Sequence, residues 1–430
     1  MTKCEMQALR SVFEDHESNV RTYCRSFPTV FSTARGAKLT DVAGKDYIDL
    51  LSGAGTLNYG HNNPRILERV LAYLSDGGIV HSLDMYTTAK AAFIRSFKDI
   101  ILTPRGLNYK LQFPGPTGTN AVEAALKLAR KVTGRSQIVA FSNGFHGMTM
   151  GALAATSNAT KRAGAGTRLD GVTFMPFDKF TGEDIDSLEV ITAMLGSGAG
   201  NDAPAAFIVE TVQGEGGLNV ASGEWLKGLA KLAQRLGALL IIDDIQAGNG
   251  RTGTFFSFEP CGLQPDIVVL SKSLSGFGAP LSLVLMKPHL DQWLPGEHNG
   301  TFRGNNLAFV GATAALDSYW RDGQLTAEIA SKAAMVERSF VRIIASQPPG
   351  TVRLKGRELM VGLEFQDTEL PSRLSRRLFD EGYIIETCGH AGQVLKLLPP
   401  LTIDHGELAQ ALGAIEQAVL SETKFQRSAA

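Results

Sequence analysis

A chain of 430 residues with 44% hydrophobic content carries enough apolar surface to bury one large core or two adjoining ones, as a globular, soluble protein does. Its 42 basic and 43 acidic residues leave a formal charge of -1, which excludes a broad basic field for nucleic acid and an acidic tail and points to a small-molecule partner. No apolar run approaches the roughly 18 residues that span a bilayer, so no membrane partner is expected. The start, MTKCEMQALRSVFEDHESNV, lacks the apolar core of a secretion signal, and the expected location is the cytoplasm. Cys4, Cys24, Cys261 and Cys388 are far apart without CxxC spacing, which suggests reduced thiols and neither a disulfide framework nor a metal site.

In chain order, the first twenty or so residues read as a polar, amphipathic helix. AKLTDVAGKDYIDLLSG then gives two short alternating runs around a glycine-containing turn, a hairpin on a small domain. From about residue 110 a strand, glycine loop, helix pattern recurs: YKLQF, GPTGTNAVEAALKLARKVTG, SQIVAFSN, AAFIVETV, GALLIIDDIQ and DIVVLSKS. Such alternation predicts an α/β fold with a mostly parallel sheet covered by helices. After about residue 320, charged amphipathic helices alternate with short strands such as LMVGLEF and QVLKLLPPL. This segment is expected to join the N-terminal one, so that residues 1–60 and 320–430 form a smaller α+β domain beside a large domain, 61–319. There is no internal repeat, low-complexity tract or long linker.

Two strand ends carry the chemistry. IIDDIQ stops an apolar strand with Asp243 and Asp244, at the edge where open α/β sheets build their sites. A strand-end aspartate by itself is as readily a helix cap or a paired core carboxylate. The next strand, DIVVL, ends in Ser271-Lys272-Ser273 and a glycine-rich SGFGAP. A lysine there is costly unless it is paired or covalently engaged, although a side chain reaching solvent is the ordinary alternative. Together the pair matches the two groups that pyridoxal 5'-phosphate (PLP) chemistry needs most: a Schiff-base lysine and a carboxylate that keeps a pyridine nitrogen protonated. GPTGTNAVEAALKLAR supplies a helix N-terminus for the cofactor phosphate, and Phe145 in FSNGFHG an aromatic face for its ring. Alone, the first is a common turn and the second a common core residue.

These pieces, in this order, resemble the class III aminotransferases of PLP fold type I across nearly the whole chain. NYGHNNP, ETVQGEGG, IIDDIQAGNGRTG, LSKSLSGFGAPLS and GTFRGNN are similar to that family's motifs. The resemblance implies Lys272 as the Schiff-base lysine, Asp243 on the pyridinium nitrogen, Gln246 near the ring hydroxyl, Phe145 stacked on the ring, and Gly118 and Thr119 at the phosphate. It implies that Thr301 reaches the same phosphate from a neighbouring subunit, hence a homodimer or higher homo-oligomer, and that 61–319 is the PLP-binding domain. GPTGTNAVEAALKLARKVTGR, NGFHGMTMGALAATSNA, FMPFD and EHNGTFRGNNLAF are similar, more narrowly, to the L-2,4-diaminobutyrate aminotransferases. That implies amino transfer from L-glutamate to L-aspartate 4-semialdehyde, so the partners are amino acids and an aldehyde or oxo acid.

Two departures bear on substrate recognition. Other class III members often carry an arginine where this chain has Met148 and another where it has Lys396, so the distal carboxylate of glutamate must be held differently. By resemblance Glu215 pairs with the basic residue at 396, and Arg303 is a candidate for a substrate carboxylate or, equally, a loop salt bridge. Asp244 is expected to anchor neighbouring groups, His146 to be structural rather than a base, and His61 to form a turn or line the substrate. The alternatives are another ω-amino acid transaminase of γ-aminobutyrate or ornithine type, an aminomutase or racemase, and a PLP-binding regulator without a DNA-reading module.

Overall fold

Ile138–Phe141, Ala206–Val209 and Ile267–Leu270 are apolar and buried at every position, and Leu239–Asp243 nearly so. Strands of this kind must be covered on both faces, as in a parallel sheet clothed by helices. The computed structural model, which describes residues 3–196 and 198–429, bears this out. Its central sheet has seven strands in the order Lys110–Gln112, Leu283–Met286, Ile267–Leu270, Leu239–Asp243, Ala206–Val209, Ile138–Phe141 and Val172–Met175. Leu283–Met286 runs antiparallel to both neighbours, and the other adjacent pairs are parallel. Leu240, Ile242, Val268 and Leu270 join one apolar cluster while Ile241, Ile267 and Val269 join another, so successive residues feed opposite faces. The second cluster takes the apolar side of the helix Gly118–Thr133, and the first takes that of Gly223–Leu236.

The N-terminal hairpin pairs Lys38–Asp41 with Asp46–Asp49 around Gly44, whose φ of 84° suits glycine. Asp46–Asp49 then pairs in parallel with Tyr383–Ile384, so residues far apart in the chain share one sheet. A third sheet joins Val352–Arg357, Met360–Phe365, Val394–Leu397 and Glu386–Cys388, and the helices Gln324–Ala345 and His405–Ala429 pack together. Just after the hairpin, Gly53 and Ala54 both turn left-handed, at φ 58° and 56°. For alanine this costs about 1–2 kcal/mol, and it brings the Ala54 carbonyl to the end of the central sheet. No described helix is long and apolar enough to cross a membrane. Cys24, Cys261 and Cys388 are free thiols; the Cys4 side chain lies outside the described residues.

Candidate active site

Three adjacent parallel strands, Ala206–Val209, Leu239–Asp243 and Ile267–Leu270, end at one pocket. The chain leaving them carries Glu210, Asp243 and Lys272, all of which line it. Gly118 and Thr119 enter from the N-terminus of the 16-residue helix, and Phe145, Glu215 and Gln246 line it as well.

Lys272 opens a short 3-10 helix, Lys272–Ser275, with a φ of 49°. A left-handed lysine costs about 1–3 kcal/mol and persists only where the surroundings fix it. Its ammonium donates to the Ala54 carbonyl at 2.7 Å. Burial holds the Lys272 amine below its ordinary pKa, against the pull of the Glu215 charge. An amine so placed gives up its proton more readily than a surface lysine.

Asp243 is buried, accepts from the Ile245 N–H at 3.2 Å and receives His146 Nδ1 at 2.7 Å on its other oxygen. Burial alone pushes the His146 imidazole down, but its bond to Asp243 and the Asp243 and Glu210 charges outweigh this, and the net shift is upward. Burial raises Glu210 to about 7, with His146 pulling the other way; its carboxylate accepts the Phe145 N–H at 2.9 Å. Asp243 is therefore held in place by its neighbours, and His146 acts as its support.

At the helix start, Thr117 donates from its hydroxyl to Asn120 Oδ1 at 2.7 Å. The N–H groups of Gly118 and Thr119 meet no protein acceptor among the described residues, the usual state of a first helical turn and a seat for an anion. A Cβ on Gly118 would lie 2.9 Å from Ile245 Cδ1, so a larger residue would crowd that seat. Gln246 Nε2 donates to Ala54 O at 3.0 Å, and its buried Oε1 has no partner.

Lys396 is fully buried and lies between two carboxylates, Glu215 at 3.0 Å and Glu386 at 2.8 Å. Glu386 stands opposite Lys396 in the register of the antiparallel pair, where opposite charges attract, and Tyr23 donates to it at 3.4 Å. Lys396 holds the Glu215 carboxyl down at about 2, against the effect of burial. Lys396→Met leaves the buried Glu386 and the half-buried Glu215 without their cation, so an expected loss of about 3 kcal/mol follows, read from denaturant unfolding. The sign of its pH dependence comes from Glu215. A depressed carboxyl contributes stability that is fully present above its unfolded value of 4.5 and is lost as pH falls through about 2, so the gap between variant and wild type narrows as pH falls from 4.5 to about 2. Equal stability of the two at neutral pH would contradict this triad.

The chain's overall pattern matches the family model for class III aminotransferases over residues 21–419. The chain belongs to the class III aminotransferases. It is 54% identical over 417 residues to a diaminobutyrate–2-oxoglutarate transaminase of Halalkalibacterium halodurans, covering 96% of this chain and 97% of that one. With the protein of the same name from Streptomyces anulatus it shares 55% over 410 residues, covering 95% and 97%. Among solved structures it resembles an ornithine aminotransferase of Toxoplasma gondii with partial occupancy of PLP at the active site, with 26% identity, a TM-score of 0.85, and 98% and 96% of the two chains covered.

The pocket of this class III aminotransferase fits PLP by its own donor set. Free helix N–H groups suit a phosphate, Asp243 suits a ring nitrogen, the unpaired Gln246 Oε1 can take a hydroxyl, and Lys272 offers an amine. Thr301 does not line this pocket: it is exposed, its carbonyl accepting from His81 at 2.8 Å. Arg303 does not line it either and contacts Asn299 at 2.8 Å and Asp84 at 3.9 Å. Met148 is exposed. His61 bridges to Gly36 and contacts Asp49 at 2.8 Å, a turn and not a lining residue. Asp244 accepts from the Ser257 hydroxyl and backbone N–H, anchoring that loop. Sequence reasoning passed over Glu210, Glu386 and the Ala54 carbonyl.

Proposed function

We propose that this chain is a PLP-dependent transaminase that moves the amino group of L-glutamate to L-aspartate 4-semialdehyde, giving 2-oxoglutarate and L-2,4-diaminobutyrate. The near-full-length likeness to diaminobutyrate–2-oxoglutarate transaminases carries this choice of substrates. The lysine and carboxylate at adjacent strand ends support the reaction type.

Bound PLP supplies an aldehyde carbon for amines and a ring that takes up the electron pair left at Cα. Lys272 holds the cofactor until the substrate amine replaces it. Its freed amine, kept low in pKa by burial, would take the proton from Cα and return it to the cofactor carbon that carries the amino nitrogen. Asp243 holds the proton at the ring nitrogen, with His146 fixing the carboxylate. Gly118 and Thr119 would hold the phosphate through their N–H groups, Phe145 would offer its face to the ring and Gln246 its unpaired Oε1 to the ring hydroxyl. Glu215 covers Lys396 until the α-carboxylate of glutamate takes its place. An aldehyde brings no such group on its reacting carbon, so in the second half the pair stays closed.

The same reading includes a homodimer in which Thr301 serves the partner's phosphate. Ile79, Val80, Leu83, Met85, Tyr86 and Phe302 are exposed beside that loop, an apolar surface suited to a second copy. It includes a large PLP-binding domain, 61–319, and a smaller one from 1–60 and 320–430, supported by the pairing of Asp46–Asp49 with Tyr383–Ile384. The free thiols fit the cytoplasm.

With glutamate as donor, aspartate 4-semialdehyde is expected to be aminated at a kcat/KM at least about tenfold above that for pyruvate or oxaloacetate, about 1.4 kcal/mol of preference. Competing the acceptors in one reaction measures it. Equal rates with pyruvate would contradict the substrate assignment.

A further inference from the structure

Glutamate and L-2,4-diaminobutyrate present the same feature at the end that does not react. In glutamate the reacting carbon is Cα, and two carbons separate it from the far carboxyl carbon. In diaminobutyrate the reacting carbon is C4, and again two carbons intervene. One fixed cation can therefore read both substrates, which rests on the function proposed above.

The charges of Lys396, Lys272 and Lys161 all pull on the Glu215 carboxylate, which lines the pocket. Lys272 is committed to the chemistry. Lys396 is shared between Glu215 and Glu386, so its charge is already offset. Arg303 is occupied by its own loop, and Met148 has no charge to give. Lys161 is different, because among the described residues its ammonium makes no hydrogen bond or ion pair. Its contact is the ring of Phe145, with Nζ 4.2 Å from the centroid, and Phe145 lines the pocket.

The backbone around it is anchored. Asn158 opens the helix Ala159–Ala163 by accepting the Lys161 N–H at 2.9 Å. Arg162 ties the same helix to the carbonyls of Leu153 and Ala154, at 2.9 and 2.8 Å. Lys161 thus starts from a fixed point, while its four-carbon stem allows the ammonium to follow a carboxylate.

We propose that Lys161 binds the carboxylate at the unreacting end of both glutamate and diaminobutyrate and so sets the substrate class of this site. A compact ammonium on a flexible stem tolerates the extra α-amino group of diaminobutyrate beside that carboxylate. A planar fork locked on the carboxylate would tolerate it less.

The test uses the PLP-loaded enzyme and glutarate, a five-carbon dicarboxylate without an amine, with binding measured by calorimetry. Lys161→Gln is expected to weaken glutarate about tenfold or more and Lys161→Arg to stay within about threefold of wild type. In turnover, Lys161→Gln should raise KM for glutamate and for diaminobutyrate by similar factors, with kcat within about threefold. Unchanged glutarate binding would overturn the proposal. So would a loss of PLP affinity in Lys161→Gln as large as its loss of glutarate affinity, since that would assign Lys161 to the support of Phe145. Failure of the wild type to exchange its amino group with glutamate would sink the proposed function instead, because glutarate binding reads Lys161 without turnover.

Discussion

Lys272→Ala is expected to lose transamination by at least about four orders of magnitude, roughly 5 kcal/mol of transition-state stabilisation, while remaining folded. The substitution removes the covalent anchor and the proton carrier in one step. It should cost little stability. The left-handed backbone at φ 49° is no worse for alanine than for lysine. The lost bond to Ala54 O is offset by relief from burying an ammonium in a site that lowers its pKa. Turnover measured beside denaturant unfolding separates the two effects. Activity within tenfold of wild type would remove Lys272 from the role given to it.

Asp243→Asn is expected to cost about 100-fold or more in kcat, about 2.7 kcal/mol, with a smaller effect on PLP affinity. The amide keeps the shape of the carboxylate and can still accept the Ile245 N–H. It cannot hold a proton on a pyridine nitrogen by charge, and it deprives His146 of the partner that keeps its imidazole raised. The electron pair left at Cα then has a weaker sink. The separation of kcat from cofactor affinity is the informative readout, because a packing defect would move both together. A fall in kcat below tenfold would assign Asp243 to structure.

Asp243 and Lys272 were legible because each breaks a rule locally: a polar group ends a strand that is otherwise apolar and buried on both faces. Glu210 bears the same mark at the end of Ala206–Val209 and was readable by the same logic. Glu386 was not, because it meets Lys396 only through strand register, and register is invisible until pairing is known. The Ala54 carbonyl was hidden for another reason, since alanine gives no sign of a left-handed turn. In the fold, alternation of strands and helices gave the parallel core. It did not single out Leu283–Met286, the antiparallel strand inserted beside the lysine strand, or the half-buried Val172–Met175 at the sheet edge. Thr301 and Arg303 stand on a loop exposed in the single chain, where a motif specifies a surface and the fold of one chain does not complete it.

The central claim, that this site transfers an amino group from glutamate through Lys272, is tested most directly by adding glutamate alone to the PLP-loaded enzyme and measuring 2-oxoglutarate. Stoichiometric release is expected, with the amino group retained on the enzyme until aspartate 4-semialdehyde is supplied. Glutamate recovered unchanged or racemised, with no 2-oxoglutarate released, would contradict it.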